Sequence, residues 1–237
     1  MFSHACLSGD ITQVLKCISD DDLDWNDGMY KACRGGHIDI VKIMIEKGAD
    51  DWNIGMTSAC EGGHMEIVKF MIEKVADDWN CNWGMYKACR GGHMDIVKFM
   101  IEKGADDWNI GMISACEGGH MEIVKFMIEK GADDWNCNWN WGMRRACLYG
   151  HMDIVKFMIE KGADDWNWGM KLACYGGHME IVKFMIEKGA DNWDEGMRSA
   201  CWEGHVEIVK LMIEKGADIE YARHNTTSSI FSFLQSL

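Results

Sequence analysis

The chain has 237 residues, 48% of them hydrophobic, and a formal net charge of −14, which is length enough to bury a sizeable core. That charge argues against a nucleic-acid backbone as partner, since binding phosphates relies on clustered Lys and Arg, and favours basic or mixed-charge protein surfaces. No window is long and uncharged enough to span a membrane and no basic-then-apolar leader opens the chain, so a soluble, intracellular protein is expected.

Residues 1 to 19 form a degenerate first unit. Asp10 and Gln13 have capping-box spacing, and Thr12, Gln13 and Lys16 make its second helix more polar, as suits the end of a stack. Ala5-Cys6 opens a register that recurs at Ala32-Cys33, Ala59-Cys60, Ala88-Cys89, Ala115-Cys116, Ala146-Cys147, Ala173-Cys174 and Ala200-Cys201, which makes eight units. The spacing is 27 residues, with one interval of 29 and one of 31. The extra residues fall between Asp-Trp-Asn and the following Gly-Met. Of the 11 cysteines, those beside Ala recur in a small-residue slot, which reads as buried, reduced thiols rather than a disulfide framework.

Within a unit, Gly28 to Arg34 suits a short two-turn helix, capped by Asn26 or Asp27 and held by its neighbours. A second helix runs from His37 or Ile38 to Lys47, with Ile40, Val41, Met44 and Ile45 as its apolar stripe and Asp39, Lys42 and Glu46 as its polar one. Gly48 supplies a left-handed stop. One helix pair cannot cover its own stripe, so successive pairs must stack at roughly 10 Å. The third unit has Val75 where the others have Gly48, Gly104, Gly131, Gly162, Gly189 and Gly216. Its stop should be strained or reshaped, at a cost of about 1 kcal/mol.

The units from the second to the eighth carry Cys-x-x-x-His, from Cys33 and His37 to Cys201 and His205. Each pair offers half of a zinc site, but a small core slot and a local hydrogen bond at the helix start explain both residues better. The repeated ladder singles out no nucleophile with its base. Asp50-Asp51-Trp52-Asn53 lacks the spacing and closing Glu of a calcium loop and reads as a solvated acidic edge with capping duties. No metal, cofactor or small-molecule substrate is expected. Trp25, Trp52, Trp79, Trp108, Trp135, Trp166 and Trp193 make a ladder along that edge, either a spine sealing the loops or a binding strip, with their invariance favouring the spine. Cys81-Asn82 and Cys137-Asn138-Trp139-Asn140 lengthen two loops, and with Trp83, Trp141 and Trp168 they add aromatic surface that is either an interface or neutral variation.

Where otherwise identical units differ, they differ in the first helix. The early units carry Tyr30, Lys31 and Arg34; Thr57, Ser58 and Glu61; Tyr86, Lys87 and Arg90; Ile113, Ser114 and Glu117. Units two and three resemble four and five, down to Asp39, Glu66, Asp95 and Glu122 alternating at one position, so block duplication explains that part. Units six to eight turn basic and aromatic inside an acidic chain, which points to Arg144, Arg145, Tyr149, Lys171, Tyr175, Arg198 and Trp202 as partner-binding residues.

The order Ala-Cys-x-x-Gly-His-x-x-Ile-Val-x-x-Met-Ile-x-x-Gly-Ala-Asp, from Ala5 to Asp218, resembles the ankyrin repeat. The resemblance implies an all-α, ankyrin-like helical solenoid of about eight stacked helix-turn-helix repeats whose first helices line a concave, protein-reading face. The family's Thr-Pro-Leu-His opening is replaced by Gly28-Met29 and its copies. The period also falls short of the family's usual length of about 33, so the inter-repeat fingers should be trimmed to tight loops. Asp-Trp-Asn-x-Gly-Met with Gly-Gly-His-Met-Asp-Ile-Val-Lys is similar to the short ankyrin arrays of giant viruses of amoebae, which implies a protein working in a host cell, with its cytoplasm as the expected place. Residues 1–218 are read as the array and 219–237 as a C-terminal capping segment or tail, in which residues 225 to 237 could form a last helix using Ile230, Phe231, Phe233 and Leu234. The expected function is non-enzymatic protein binding. The alternatives are an adaptor presenting a host protein to ubiquitylation machinery and a structural virion or assembly component.

Overall fold

The computed structural model describes residues 1–18, 23–75, 79–132 and 138–220, without the side chains of Val75 and Asn138. The chain is all-α. Among the described residues there are sixteen helices and no strand. The first eight are α1 (Phe2–Ser8), α2 (Ile11–Cys17), α3 (Trp25–Gly35), α4 (Ile38–Glu46), α5 (Trp52–Gly62), α6 (Met65–Val75), α7 (Cys81–Gly91) and α8 (Met94–Glu102). They are followed by α9 (Trp108–Gly118), α10 (Met121–Lys130), α11 (Asn138–Tyr149), α12 (Met152–Lys161), α13 (Trp166–Gly176), α14 (Met179–Lys188), α15 (Trp193–Glu203) and α16 (Val206–Lys215). The chain forms two compact units, Met1–Ala115 and Cys116–Leu237, with the boundary inside α9.

Odd-numbered helices open each repeat and even-numbered ones close it, and in each unit successive first helices pack side by side: α1 on α3, α3 on α5 and α5 on α7; α11 on α13 and α13 on α15. The core is the same few residues repeated. Met29, Ala32 and Cys33 of α3 meet Ile40, Val41 and Met44 of α4, all essentially solvent-free. The slot beside Cys must stay small because a Cβ on Gly28 would lie 2.6 Å from Met44 Sδ, so the Met side chain fills the space that the glycine leaves.

The first helices are longer than the two turns expected from Gly28 to Arg34. They begin at Trp25 and its equivalents and run 11 residues in α3, α5 and α13. The cap is correspondingly earlier: Asp24 Oδ1 accepts from the Asp27 amide, and Asp51, Asn80, Asp165 and Asn192 do the same for their helices, removing one orphan donor each. Asn26, expected as a cap, does something else. Its Oδ1 accepts the amides of Asp50 and Asp51, 24 and 25 residues later, each at 3.0 Å. Asn82 binds Asp106 and Asp107 in the same way, Asn140 binds Asp164 and Asp165, and Asn167 binds Asp191 and Asn192. This side chain ties the start of one repeat's first helix to the loop that opens the next. Asn167→Leu should therefore cost about 1.5 kcal/mol, with water partly replacing the lost acceptor; urea denaturation against wild type measures it.

The inserted residues also sit differently from the expectation. Cys81-Asn82 and Trp139-Asn140 lie inside α7 and α11 rather than in lengthened loops, so Cys81 and Trp139, not Trp79 and Trp135, stand three residues before Gly84 and Gly142, the register held elsewhere by Trp25, Trp52, Trp108, Trp166 and Trp193. The extra length precedes the helix because the capping residue and the inter-repeat Asn must keep their register to Gly84 and Gly142. Trp135 and Cys137 lie outside the described residues. The ladder's described rings are half-buried or, for Trp139, buried, and Trp25 meets Phe2 edge to face at 5.8 Å.

At the N-terminus Asp10 caps α2 through the Gln13 amide at 2.9 Å, while the Gln13 side chain turns to Met1 and Cys17 instead of closing a capping box. The second helices of the second and of the fourth to eighth repeats stop at glycines in the left-handed region, among them Gly48 at φ 104° and Gly189 at φ 110°, whereas α2 of the first ends at Ile18. In the third repeat α6 includes Val75 itself, a residue poorly suited to positive φ; the stop expected there to be strained or reshaped lies outside the described residues. The helix expected within residues 225 to 237 lies outside the described residues.

Candidate functional site

The exposed face of the first helices is set by helical periodicity. Two residues ahead of each buried Met, roughly 200° around the helix, stands the variable residue of Asp-Trp-Asn-x-Gly-Met, and it points outward. Ile54, Trp83 and Ile110 in the first unit and Trp141 and Trp168 in the second are 47 to 57% exposed. Three, four and seven positions on, the same face continues: Thr57 and Glu61 after Ile54; Tyr86, Lys87 and Arg90 after Trp83; Arg144, Arg145 and Leu148 after Trp141; Lys171, Leu172 and Tyr175 after Trp168. Ile54 and Ile110 were missed in the sequence. The signal was there, as the apolar residues of these helices that fall outside the buried stripe.

The seven residues singled out from the sequence all lie on α11, α13 and α15 of the second unit, but in two kinds of surroundings. Tyr149, Tyr175 and Trp202 are exposed. The four basic residues are held by acidic neighbours. Arg144 pairs with the capping Asp165 and lies between the Trp141 and Trp168 rings, 5.0 and 5.1 Å from their centroids. Arg145 approaches Glu117 at 3.7 Å. Lys171 and Arg198 share Glu195, at 2.9 and 2.6 Å, and Lys171 also stands over Trp168 at 4.5 Å. The basic turn of these repeats is thus balanced internally: cations, carboxylates and indole rings alternate in a strip. Tyr175, Arg198, Ser199 and Trp202 line a depression of about 230 Å³ at its end. A hydrogen bond with Glu203 raises the Tyr175 phenol above its ordinary value, aided by that carboxylate's charge.

In the first unit the same face carries a larger pocket of about 800 Å³, walled by Tyr30, Ile54, Trp79 and Trp83 with Glu61 and Lys87 among its polar lining. Glu61 is approached by Lys87 at 3.3 Å, Arg34 at 3.7 Å and Arg90 at 4.0 Å.

The Cys and His of the repeated Cys-x-x-x-His are structural. Each Sγ of the Ala-Cys series lies in the core, and burial pushes the Cys33, Cys60 and Cys174 thiols up to about 12. The histidines do not bond locally, as expected, but reach back about a repeat. His37, His64 and His93 contact the carbonyls of Leu7, Arg34 and Glu61 in the first unit, and His151, His178 and His205 those of Glu117, Leu148 and Tyr175 in the second, all at 3.0 to 3.1 Å. A carbonyl only accepts, so Nε2 carries the proton there and has no lone pair for a metal. Among the described residues no group of three or more His, Cys, Asp or Glu could hold a metal ion, and no helix is long and apolar enough to cross a membrane.

Two family models match. One, for ankyrin repeats in three copies, matches residues 85–168 and 143–223; the other, for ankyrin repeats in many copies, matches residues 29–72 and 56–101. No curated protein matches the sequence. Among solved structures 198 chains match. One is the crystal structure of the human ASB11 ankyrin repeat domain, with a TM-score of 0.52 at 20% identity over 76% of this chain and 96% of that one. At that identity the likeness is one of fold.

Proposed function

The chain belongs to the ankyrin-repeat family, and from that premise we propose that it is a non-catalytic module that binds a protein partner across its first helices and the loop edge beside them. Ankyrin repeats are generally protein-interaction modules and typically non-enzymatic. The observation that carries the reading here is the set of apolar and aromatic side chains left exposed at one helix position, Ile54, Trp83 and Ile110 in the first unit and Trp141 and Trp168 in the second, joined in the second by Tyr149, Tyr175 and Trp202. These side chains lie outside the buried Met, Ala and Cys stripe of the first helices, and exposed apolar area of this kind marks interaction surfaces. Aromatic anchors set among cations are also what concentrates binding energy in protein interfaces.

The mechanism is rigid display. Side chains fixed on stacked helices lose little conformational freedom when a partner arrives, so more of the contact energy appears as affinity. We read the loop wording Asp-Trp-Asn-x-Gly-Met as that of a giant-virus array, which places the module in the cytoplasm of an infected cell.

The test is quantitative crosslinking in cell lysate. Replacing Trp83, Tyr175 and Trp202 together with Ser should lower recovery of specifically crosslinked proteins by roughly tenfold, the scale of one lost hot spot. Replacing the outer-face Lys125 and Lys156 with Ser should leave recovery unchanged. Equal recovery with both triple and double variants would overturn the reading.

A further inference from the structure

The first unit's pocket, lined by one carboxylate and one ammonium, Glu61 and Lys87, is rimmed by further cations. Helices α3, α5 and α7 contribute four basic residues, Lys31, Arg34, Lys87 and Arg90, against two acidic ones, Asp27 and Glu61, so this face is cationic in a chain whose net charge is −14. The second helices behind it alternate Glu or Asp with Lys, so the acidity resides in the loops, at Asp50, Asp51, Asp106 and Asp107. Those carboxylates have internal tasks. Asp51 and Asp107 cap helices, and Asp50 and Asp106 receive the amides of Asn26 and Asn82.

Three cations close on one carboxylate at Glu61, whose side chain is 12% exposed. Only the Lys87 contact is within hydrogen-bond range. The Arg34 guanidinium stays half-exposed at 3.7 Å, with a long 3.5 Å contact to the Tyr30 hydroxyl as its other neighbour. The negative helix ends that could neutralise this charge are already engaged, because the carbonyls of Arg34 and Glu61 bind His64 and His93. Beside the cations lie the apolar walls, with Ile54 50% and Trp83 57% exposed.

We propose that this pocket and its rim take an acidic segment of the partner, with a carboxylate on Lys87 of the lining and on Arg34, which stands beside Glu61 and Tyr30, and a neighbouring apolar or aromatic side chain between Ile54, Trp79 and Trp83. The proposal rests on the protein-binding reading and adds the partner's chemistry to it. A volume of about 800 Å³ suits a few residues of an extended segment rather than a folded domain, and charge complementarity of this kind selects partners and their orientation.

The test is selection of displayed random peptides of about twelve residues against the full-length protein. Selected peptides should be net negative, with Asp or Glu next to Phe, Trp or Leu. Their affinity should fall roughly tenfold or more in the Arg34→Glu, Lys87→Glu double variant and in Trp83→Ser, both checked for unchanged circular dichroism. Net-positive peptides would overturn the proposal, and so would acidic ones indifferent to these substitutions. Peptides sensitive instead to Tyr175 and Trp202 would overturn it while leaving the general binding function standing; the crosslinking experiment is independent of all three outcomes.

Discussion

Raising the pH from 8 to about 10.5 should unfold this protein under conditions that leave most helical proteins folded. The cause is the thiol in the small core slot. Burial raises Cys33, Cys60 and Cys174 to about 12 and Cys6 and Cys201 to about 11 from an ordinary 9.0, and it raises Cys89, Cys116 and Cys147 as well. For Cys6 the charges of Asp27 and Cys17 add to the burial. A thiol is neutral when protonated, so above about pH 9 the unfolded chain releases protons that the folded chain retains. The folded state then binds more protons, and stability falls as pH rises. It is fully present below the unfolded value and is lost progressively between about 9 and 12. Each thiol contributes up to about 1.4 kcal/mol per pH unit. With four such residues in each unit, one pH unit removes roughly 5 kcal/mol, the scale of a domain's whole stability.

Urea denaturation from pH 7 to 10.5 with a phosphine reductant present gives that slope directly. Cys174→Ala keeps the slot small and should lower the slope by about 1.4 kcal/mol per pH unit in the steep range, whatever it does to stability at pH 7. A slope unchanged by this substitution would rule the mechanism out.

Gly177→Ala should cost about 3 kcal/mol, whereas Gly204→Ala, at the same position of the next repeat, should cost about 1 kcal/mol. Both glycines are left-handed, at φ 78° and 86°, so both substitutions carry the strain of a Cβ in that region. The difference is the following histidine. A Cβ on Gly177 would lie 2.5 Å from His205 Cε1, whereas Gly204 has no described atom within 4 Å. Moving the ring also breaks its hydrogen bond to the Tyr175 carbonyl, worth about 1 kcal/mol. Thermal and urea unfolding of the two variants, compared with His205→Ala alone, separate strain from clash. Equal losses at both glycines would show that the ring is not the seat.

The repeat, the helix pair, the apolar stripe of Ile40, Val41 and Met44, and the buried Cys were all legible in the sequence, because periodicity and repetition report burial directly. The first-helix face was legible in outline, as the place where units differ. Its working parts were read less well. Arg144, Arg145 and Lys171 looked like part of a basic groove because Asp165, Glu117 and Glu195, which balance them, come from neighbouring repeats; Arg198 meets Glu195 within its own helix. The pocket beside Glu61 drew no attention because its cations lie on α3 and α7 and its carboxylate on α5, and the early repeats looked like mere duplication.

By itself the sequence determined the class of fold, the eightfold register and the small core slot, since each is a local pattern copied many times and one helix pair leaves an apolar stripe that only the next pair can cover. The tertiary structure decided what the invariant polar residues do. Asn26 and His37 act on groups 24 to 30 residues away, at a distance no local pattern encodes. It also decided which charges are spent inside the protein and which remain outside: ion pairing depends on side chains that meet only when one repeat is laid against the next. By that division the second unit presents aromatic rings with compensated charge, and the first presents an apolar pocket with cations at its rim.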